Sequence, residues 1–398
     1  MAREIKVPEA RFSCQSCGRC CTMWTVTADE STVERLRTKD WGGRDPFLPL
    51  RGEGDPFKLR MVAGRCTFLD GDSRCRIHTQ VGYNSKPEGC KAFPLHVSRV
   101  AGQTHVRLSF YCPAVSSNKG KRLQEQMRWV QSTVKAAGNV TREAALTLDD
   151  AIEITPGDLE ALEAALAELL EGGQAATPAD RLAAGAALLE RVRQATAAQG
   201  KGALLPTLKQ ARQAGLVVLA SEGRQGGAAA RGGPVLSLFL GQDCAPGALA
   251  RVGRFFGVRF FNLGLGRLSS RLMEGQASMK QIRGVELRLD AESGALLTRY
   301  LVHKLRSRRI LAGELTLIAG FNLLVAAYCV ASLLARLHAA HDGRGATTLE
   351  DVERAIQAAD LLVVEHTAIY QASMLATLTE TVLAQDQLCA SLLARIGD

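Results

Sequence analysis

Eight of the eleven cysteines fall within the first 112 residues, and four of them are crowded into Cys14-x-x-Cys17-x-x-Cys20-Cys21. Cys66, Cys75, Cys90 and Cys112 follow one at a time. Thiolates at such spacing ligate soft metals: zinc in a tetrahedral site, or iron in an iron-sulfur cluster. Spacing alone does not separate the two. Met1-Ala-Arg-Glu-Ile-Lys6 is charged and leads into no apolar run, so the reading is a cytoplasmic chain without an export signal. In a reducing compartment paired cysteines hold metal rather than disulfides. Cys244, Cys329 and Cys389 stand singly in apolar surroundings and read as packing residues.

Neighbouring side chains in an extended segment point to opposite sides, so Cys20 and Cys21 are expected to serve different sites. Eight thiols then make two sites, each taking one of the pair. The alternative is one four-thiolate site with spare cysteines nearby. The Cys112-Pro113 step is like the proline after the last cysteine of bacterial ferredoxin runs, which favours iron. His78 is a candidate ligand or a donor to one, whereas His96 and His105 carry no motif.

The stretch Phe12-Ser-Cys14-Gln-Ser-Cys17-Gly18-Arg-Cys20-Cys21, with Cys66-Thr-Phe68-Leu69-Asp70, Cys75-Arg-Ile-His78, Lys86-Pro87 to Cys90 and Phe93-Pro94, resembles the CxxCxxCC zinc- or iron-chelating family, also called the YkgJ family. Farther on, Tyr300-Leu-Val-His303-Lys304, a long apolar helix and a helix ending in Val364-Glu365-His366 are similar to the C-terminal part of flagellin lysine-N-methylases. That resemblance implies an iron-sulfur centre, of the 4Fe-4S kind or replaced by zinc, and methyl transfer from S-adenosylmethionine to lysines of a protein such as flagellin. Glu365 and His366 are the candidate acid-base pair, because imidazole beside carboxylate titrates near neutral pH. The competing reading is a non-catalytic zinc- or iron-binding module with a helical interaction surface.

Two familiar routes to that cofactor are missing from the sequence. No strand leads into a glycine-rich turn of a doubly wound sheet, since Gly264-Leu-Gly266 lacks a third glycine and follows no clear strand. Nor is there a CxxxCxxC cluster motif.

Residues 1–135 hold 23 Lys plus Arg against 13 Asp plus Glu, a balance of +10 in a chain of net +9. The positive charge therefore sits with the cysteines, where it offsets thiolate charge or attracts an anionic partner. Aromatic residues do not interleave with it, so nucleic acid is not the expected partner.

The fold class expected is mostly α. A small irregular cysteine-rich domain, stabilised by metal, covers 1–118, followed by a helical region 119–214, a mixed region 215–294 and an all-α region 295–398. Residues 40–60, rich in glycine and proline, read as a long loop in a domain with little core of its own. A helix is expected over Lys119–Ala137. Pro156-Gly-Asp158 and Thr177-Pro178-Ala-Asp180 open helices that close near Gly172 and Gly200, and a third runs from Leu204 to Ala214. Val235–Leu240 and Val285–Leu289 look like strands, and 223–233 like a glycine-rich loop. Leu315–Leu337 is long enough to cross a bilayer, yet Asn322 inside it and the helices that follow favour a buried core helix with no stable membrane insertion. Thr348-Leu-Glu350-Asp351 caps the next helix, and Val382–Ile396 is periodic.

Overall fold

The computed structural model describes residues 5–22, 26–50, 56–100, 102–137, 146–172, 176–225, 232–243, 248–308, 315–365, 381–385 and 387–397. The chain divides into two compact units. One comprises 7–97 and 106–140, and the other 1–6, 98–105 and 141–398.

The first unit is built of short strands, turns and short helices such as Glu30–Arg37, and it has a core. Val33, Leu36, Trp41, Phe47, Leu59, Phe68 and Ile77 are buried together, with the Trp41 ring edge-on to Phe68 at 4.8 Å. Phe47 lies 5.7 Å from the same ring. Residues 40–60 are therefore not one long loop. Phe47–Pro49 and Thr27–Ala28 flank Phe57–Leu59 in a three-stranded antiparallel sheet, in which the paired Phe47 and Leu59 are both buried in the core. The expected Lys119–Ala137 helix is also shorter. Lys121–Arg122 is a strand, Leu123–Gln126 a 3₁₀ turn, and the helix runs Met127–Ala136.

The second unit is α-helical, and its boundaries follow its caps. Thr155 and Asp158 form a reciprocal capping box on the helix Pro156–Glu171, as do Thr177 and Asp180 on Pro178–Gln199 and Thr348 and Asp351 on Leu349–Ala359. Each such cap contributes about 1 kcal/mol. Leu204–Ala214 is helical as expected. Val235–Leu240 is not a strand: it belongs to the helix Gly232–Leu240, with Val235, Leu236, Phe239 and Leu240 buried. A run apolar on every side has no period to separate helix from strand, and here the buried positions fall at helical spacing. Val285–Leu289 holds only an isolated bridge from Glu286 to Ala346, whereas the hairpin of this unit is Arg267–Ser270 with Gly275–Ser278.

Leu317–His341 is the central helix, and 94% of its most apolar stretch is buried within the chain. Two of its buried polar residues bond to main-chain carbonyls. Asn322 Nδ2 donates to the Leu383 carbonyl at 2.7 Å, and Arg336 Nη1 donates to the Ile396 carbonyl at 2.5 Å. Lys304 and Asp360, both fully buried, form an ion pair at 2.6 Å between the helix Ala291–Arg306 and the π-helical turn that begins at Asp360.

Candidate metal centre

The turn that carries the first cysteines is set by what flanks it. Arg11–Phe12 pairs antiparallel with Lys121–Arg122, and the Ser13 amide donates to the Lys119 carbonyl at 3.1 Å. Gly120, at φ +112°, lies so close that a Cβ there would stand 2.4 Å from the Ser13 nitrogen. This contact ties the segment that follows Cys112 to the segment that precedes Cys14. The Ser16 amide then donates to the Cys14 sulfur at 3.5 Å. Gly18 turns the chain at φ +71°, where a Cβ would meet Ser73 at 3.0 Å and Leu69 at 3.1 Å. The close approach brings Cys17–Cys21 against the 69–73 loop.

After Gly18 the chain is a 3₁₀ turn, Arg19–Cys21, not an extended strand. The expectation that Cys20 and Cys21 diverge fails for that reason. Their sulfurs lie 3.8 Å apart. Thiolates about 2.3 Å from a tetrahedral zinc stand about 3.8 Å from one another, so this pair has the spacing of two ligands on one metal.

Cys66, Cys75 and Cys90 arrive from three further elements: the strand Arg65–Cys66, the residue capping Arg76–Gln80, and the helix Glu88–Ala92. Cys66 lies in the buried core, and Cys21, Cys75 and Cys90 pack against it. Cys112 caps the helix Pro113–Ser116, whose first residue is Pro113. That proline thus has a local reason in helix initiation. Cys14 and Cys17 are exposed, Cys66 and Cys112 buried, and the other four half-buried. Among the described residues no three His, Cys, Asp or Glu side chains already form a ligating group. Donor chemistry and the Cys20–Cys21 spacing fit a thiolate-bound metal, and convergence of a third ligand would accompany its binding, as metal binding and folding are coupled.

Lys86 was quoted in the motif without a role, and the structure supplies one. Burial pulls its ammonium down, but Cys75, Cys90, Cys20 and Cys21 outweigh that and hold its pKa above the ordinary value. It also lies 5.6 Å over the Tyr83 ring. Tyr83 Oη donates to the Lys91 carbonyl at 2.9 Å, and Trp129 Nε1 donates to the same oxygen at 3.0 Å. The one signal in sequence was a lysine-proline step four residues before Cys90. His78 is exposed, and its ring stands edge-on to Tyr83 at 5.6 Å.

Without metal the buried thiols are neutral. Burial pushes Cys66 up to about 11, Cys90 up to about 12 and Cys112 up to about 12. The hydrogen bond with Cys21, followed by burial, raises Cys20 as well. Cys20 is felt electrostatically by Cys66, Cys90 and Cys112 alike, and Cys17 by Cys112. His366 and the side chain of Glu365 lie outside the described residues, as does Cys244.

Residues 13–119 match the family model CxxCxxCC, described as "Putative zinc- or iron-chelating domain". A lysine-N-methylase of Salmonella typhimurium is 31% identical over 130 residues, which cover 29% of this chain and 32% of that protein. The flagellar biosynthetic protein FliU of Salmonella muenchen is 31% identical over 130 residues, 29% of this chain and 77% of that protein. An uncharacterized protein of Methanocaldococcus jannaschii is 28% identical over 121 residues, 29% of this chain and 41% of its own length. The match thus spans about a third of the length of the lysine-N-methylase. No solved structure matches.

Proposed function

We propose that this chain, which belongs to the CxxCxxCC zinc- or iron-chelating family, binds metal through Cys14, Cys17, Cys20, Cys21, Cys66, Cys75, Cys90 and Cys112, and methylates lysine side chains of a partner protein in the cytoplasm. The observation that carries the metal reading is the approach of the Cys20 and Cys21 sulfurs to each other, with Cys21, Cys75 and Cys90 packed against the core that holds Cys66. The 3.8 Å Cys20–Cys21 spacing supports both thiolates on one ion. A 4Fe-4S cube takes one thiolate on each iron, so that spacing favours zinc or a two-iron cluster. Such a centre would supply folding energy and a fixed positive charge among the thiolates.

The methylase reading rests on relatives that bear that name, one of them a flagellar protein. S-adenosylmethionine would be the methyl donor. Any such transfer needs a neutral lysine amine, because an ammonium has no free lone pair, so the site must take up that proton. Glu365 and His366 remain the first pair to substitute. The burial of most of the central helix supports a protein without stable membrane insertion.

One observation favours the second reading, a metal-binding interaction module. The described strands form only two- and three-stranded sheets, none with the doubly wound order that often holds this cofactor. One experiment separates the two. The chain is purified without oxygen, analysed for iron, sulfide and zinc, and incubated with labelled S-adenosylmethionine and either flagellin or host lysate. Labelled lysine that disappears in Cys20→Ser supports the methylase. A metal-loaded chain that neither binds the cofactor nor labels any polypeptide leaves the module.

A further inference from the structure

The helix Ala248–Asn262 is apolar on two opposite sides, one buried and the other largely exposed. Val258 and Phe261 are fully buried, and Asn262 Nδ2 on that side donates to the Gly233 carbonyl at 3.0 Å and to Ser237 Oγ at 2.7 Å. Phe256, Phe260 and Leu263, spaced four and three residues apart, share the other side. They are 54%, 54% and 74% exposed, and Leu265 in the turn that follows is 58% exposed. Three Phe and Leu side chains in a helical row, continued by a fourth, form a patch rather than a scatter of single exposed residues.

Charge says what the patch fits. From 244 to 273 the sequence holds Arg251, Arg254, Arg259, Arg267 and Arg271 and no acidic residue. Arg259 and Arg267 are exposed, Arg259 on the same helical side as the phenylalanines. Aromatic and leucine side chains among arginines, on a helix with a separate buried side, are the composition that lies in a lipid interface. The headgroups of an anionic leaflet complement the arginines, each worth a few-fold in binding near such a surface.

We propose that this face seats the protein peripherally on an anionic lipid surface, with Phe256, Phe260, Leu263 and Leu265 in the headgroup boundary and Arg259 and Arg267 on the phosphates. The contact is reversible and independent of the central helix, which stays within the protein core. It does not depend on the methylase reading.

Sedimentation of the full metal-loaded chain with vesicles tests it, using phosphatidylcholine with about 30% phosphatidylglycerol against phosphatidylcholine alone. Binding is expected only to the anionic vesicles, with release at about 0.5 M salt. Phe256→Ser with Phe260→Ser should weaken it at least about ten-fold while the melting transition stays in place. If that variant melts lower, Arg259→Glu with Arg267→Glu carries the same test, because neither side chain is buried. A wild-type chain that stays in the supernatant, or a variant that binds undiminished, overturns the proposal. So does self-association that the Phe variant abolishes in the absence of any vesicle binding, which would assign the face to a second copy of the chain.

Discussion

Serine at Cys20, at Cys21 and at both tests whether the pair serves one metal. The two sulfurs are 3.8 Å apart. Ligands about 2.3 Å from a tetrahedral ion and subtending the tetrahedral angle are separated by about 3.8 Å, so neither thiol has to move to share it. If they share it, loss of the first ligand already breaks that site, and loss of the second has little left to remove. Each single variant should lower affinity at least about ten-fold, and the double variant should fall well short of the product of the two, as residues acting on one site are not additive. Metal content per chain, measured after equilibration with a chelator of known affinity, provides the reading. If the double variant loses twice the metal of either single one, or if the two single effects multiply, the sulfurs serve separate ions and the reasoning fails.

Metal loading at pH 8 should release protons, because Cys66 at about 11 and Cys90 at about 12 must ionise to ligate; unbuffered titration with zinc counts them. The sign for the metal-free fold follows from the same burial: above about pH 9 unfolded thiols ionise first, so stability should fall as pH rises towards 12, read by denaturant midpoint. Gly120→Ala should destabilise the cysteine unit by at least about 2 kcal/mol, through the 2.4 Å contact and φ +112°, whereas Gly42→Ala, with φ +71° and open space, should lose about 1 kcal/mol. Lys304→Met should destabilise the helical unit by about 3 to 5 kcal/mol by leaving Asp360 buried and charged, and adding Asp360→Leu should recover much of it in thermal unfolding. His105 is held down to about 4 from 6.5 by burial, Arg308 and Lys6, so its contribution is present above pH 6.5 and lost as pH falls through 4; at most about 3 kcal/mol should disappear from the acid limb of a stability profile in His105→Leu.

The helical unit was legible wherever a boundary is local. Thr155 to Asp158 and Thr177 to Asp180 are four-residue signals that satisfy orphan amides within themselves, and both helices begin where those residues stand. The glycine-rich surroundings of Trp41 misled for the opposite reason. That ring is buried by Phe68, 27 positions later, and an adjacent glycine says nothing about such a partner. Lys304 and Asp360 lie 56 positions apart, and neither has a local signal of its pairing. The identity of the eight cysteines was readable from type and spacing, because few other chemistries use thiols so closely grouped.

How those thiols face one another was not readable, and a single backbone choice explains why. Taken as extended chain, Cys20-Cys21 must diverge. Taken as a 3₁₀ turn, the pair converges to 3.8 Å. What selects the turn is Gly18, which adopts φ +71° and leaves room for Ser73 and Leu69, residues 55 and 51 positions ahead. The glycine was visible in the motif, but its partners were not, so the sequence held the permission for the turn without its cause. Lys86 follows the same logic. Its charge is ordinary for a surface residue, and only the fold that carries Cys20, Cys21, Cys75 and Cys90 to it makes it the cation among the thiols.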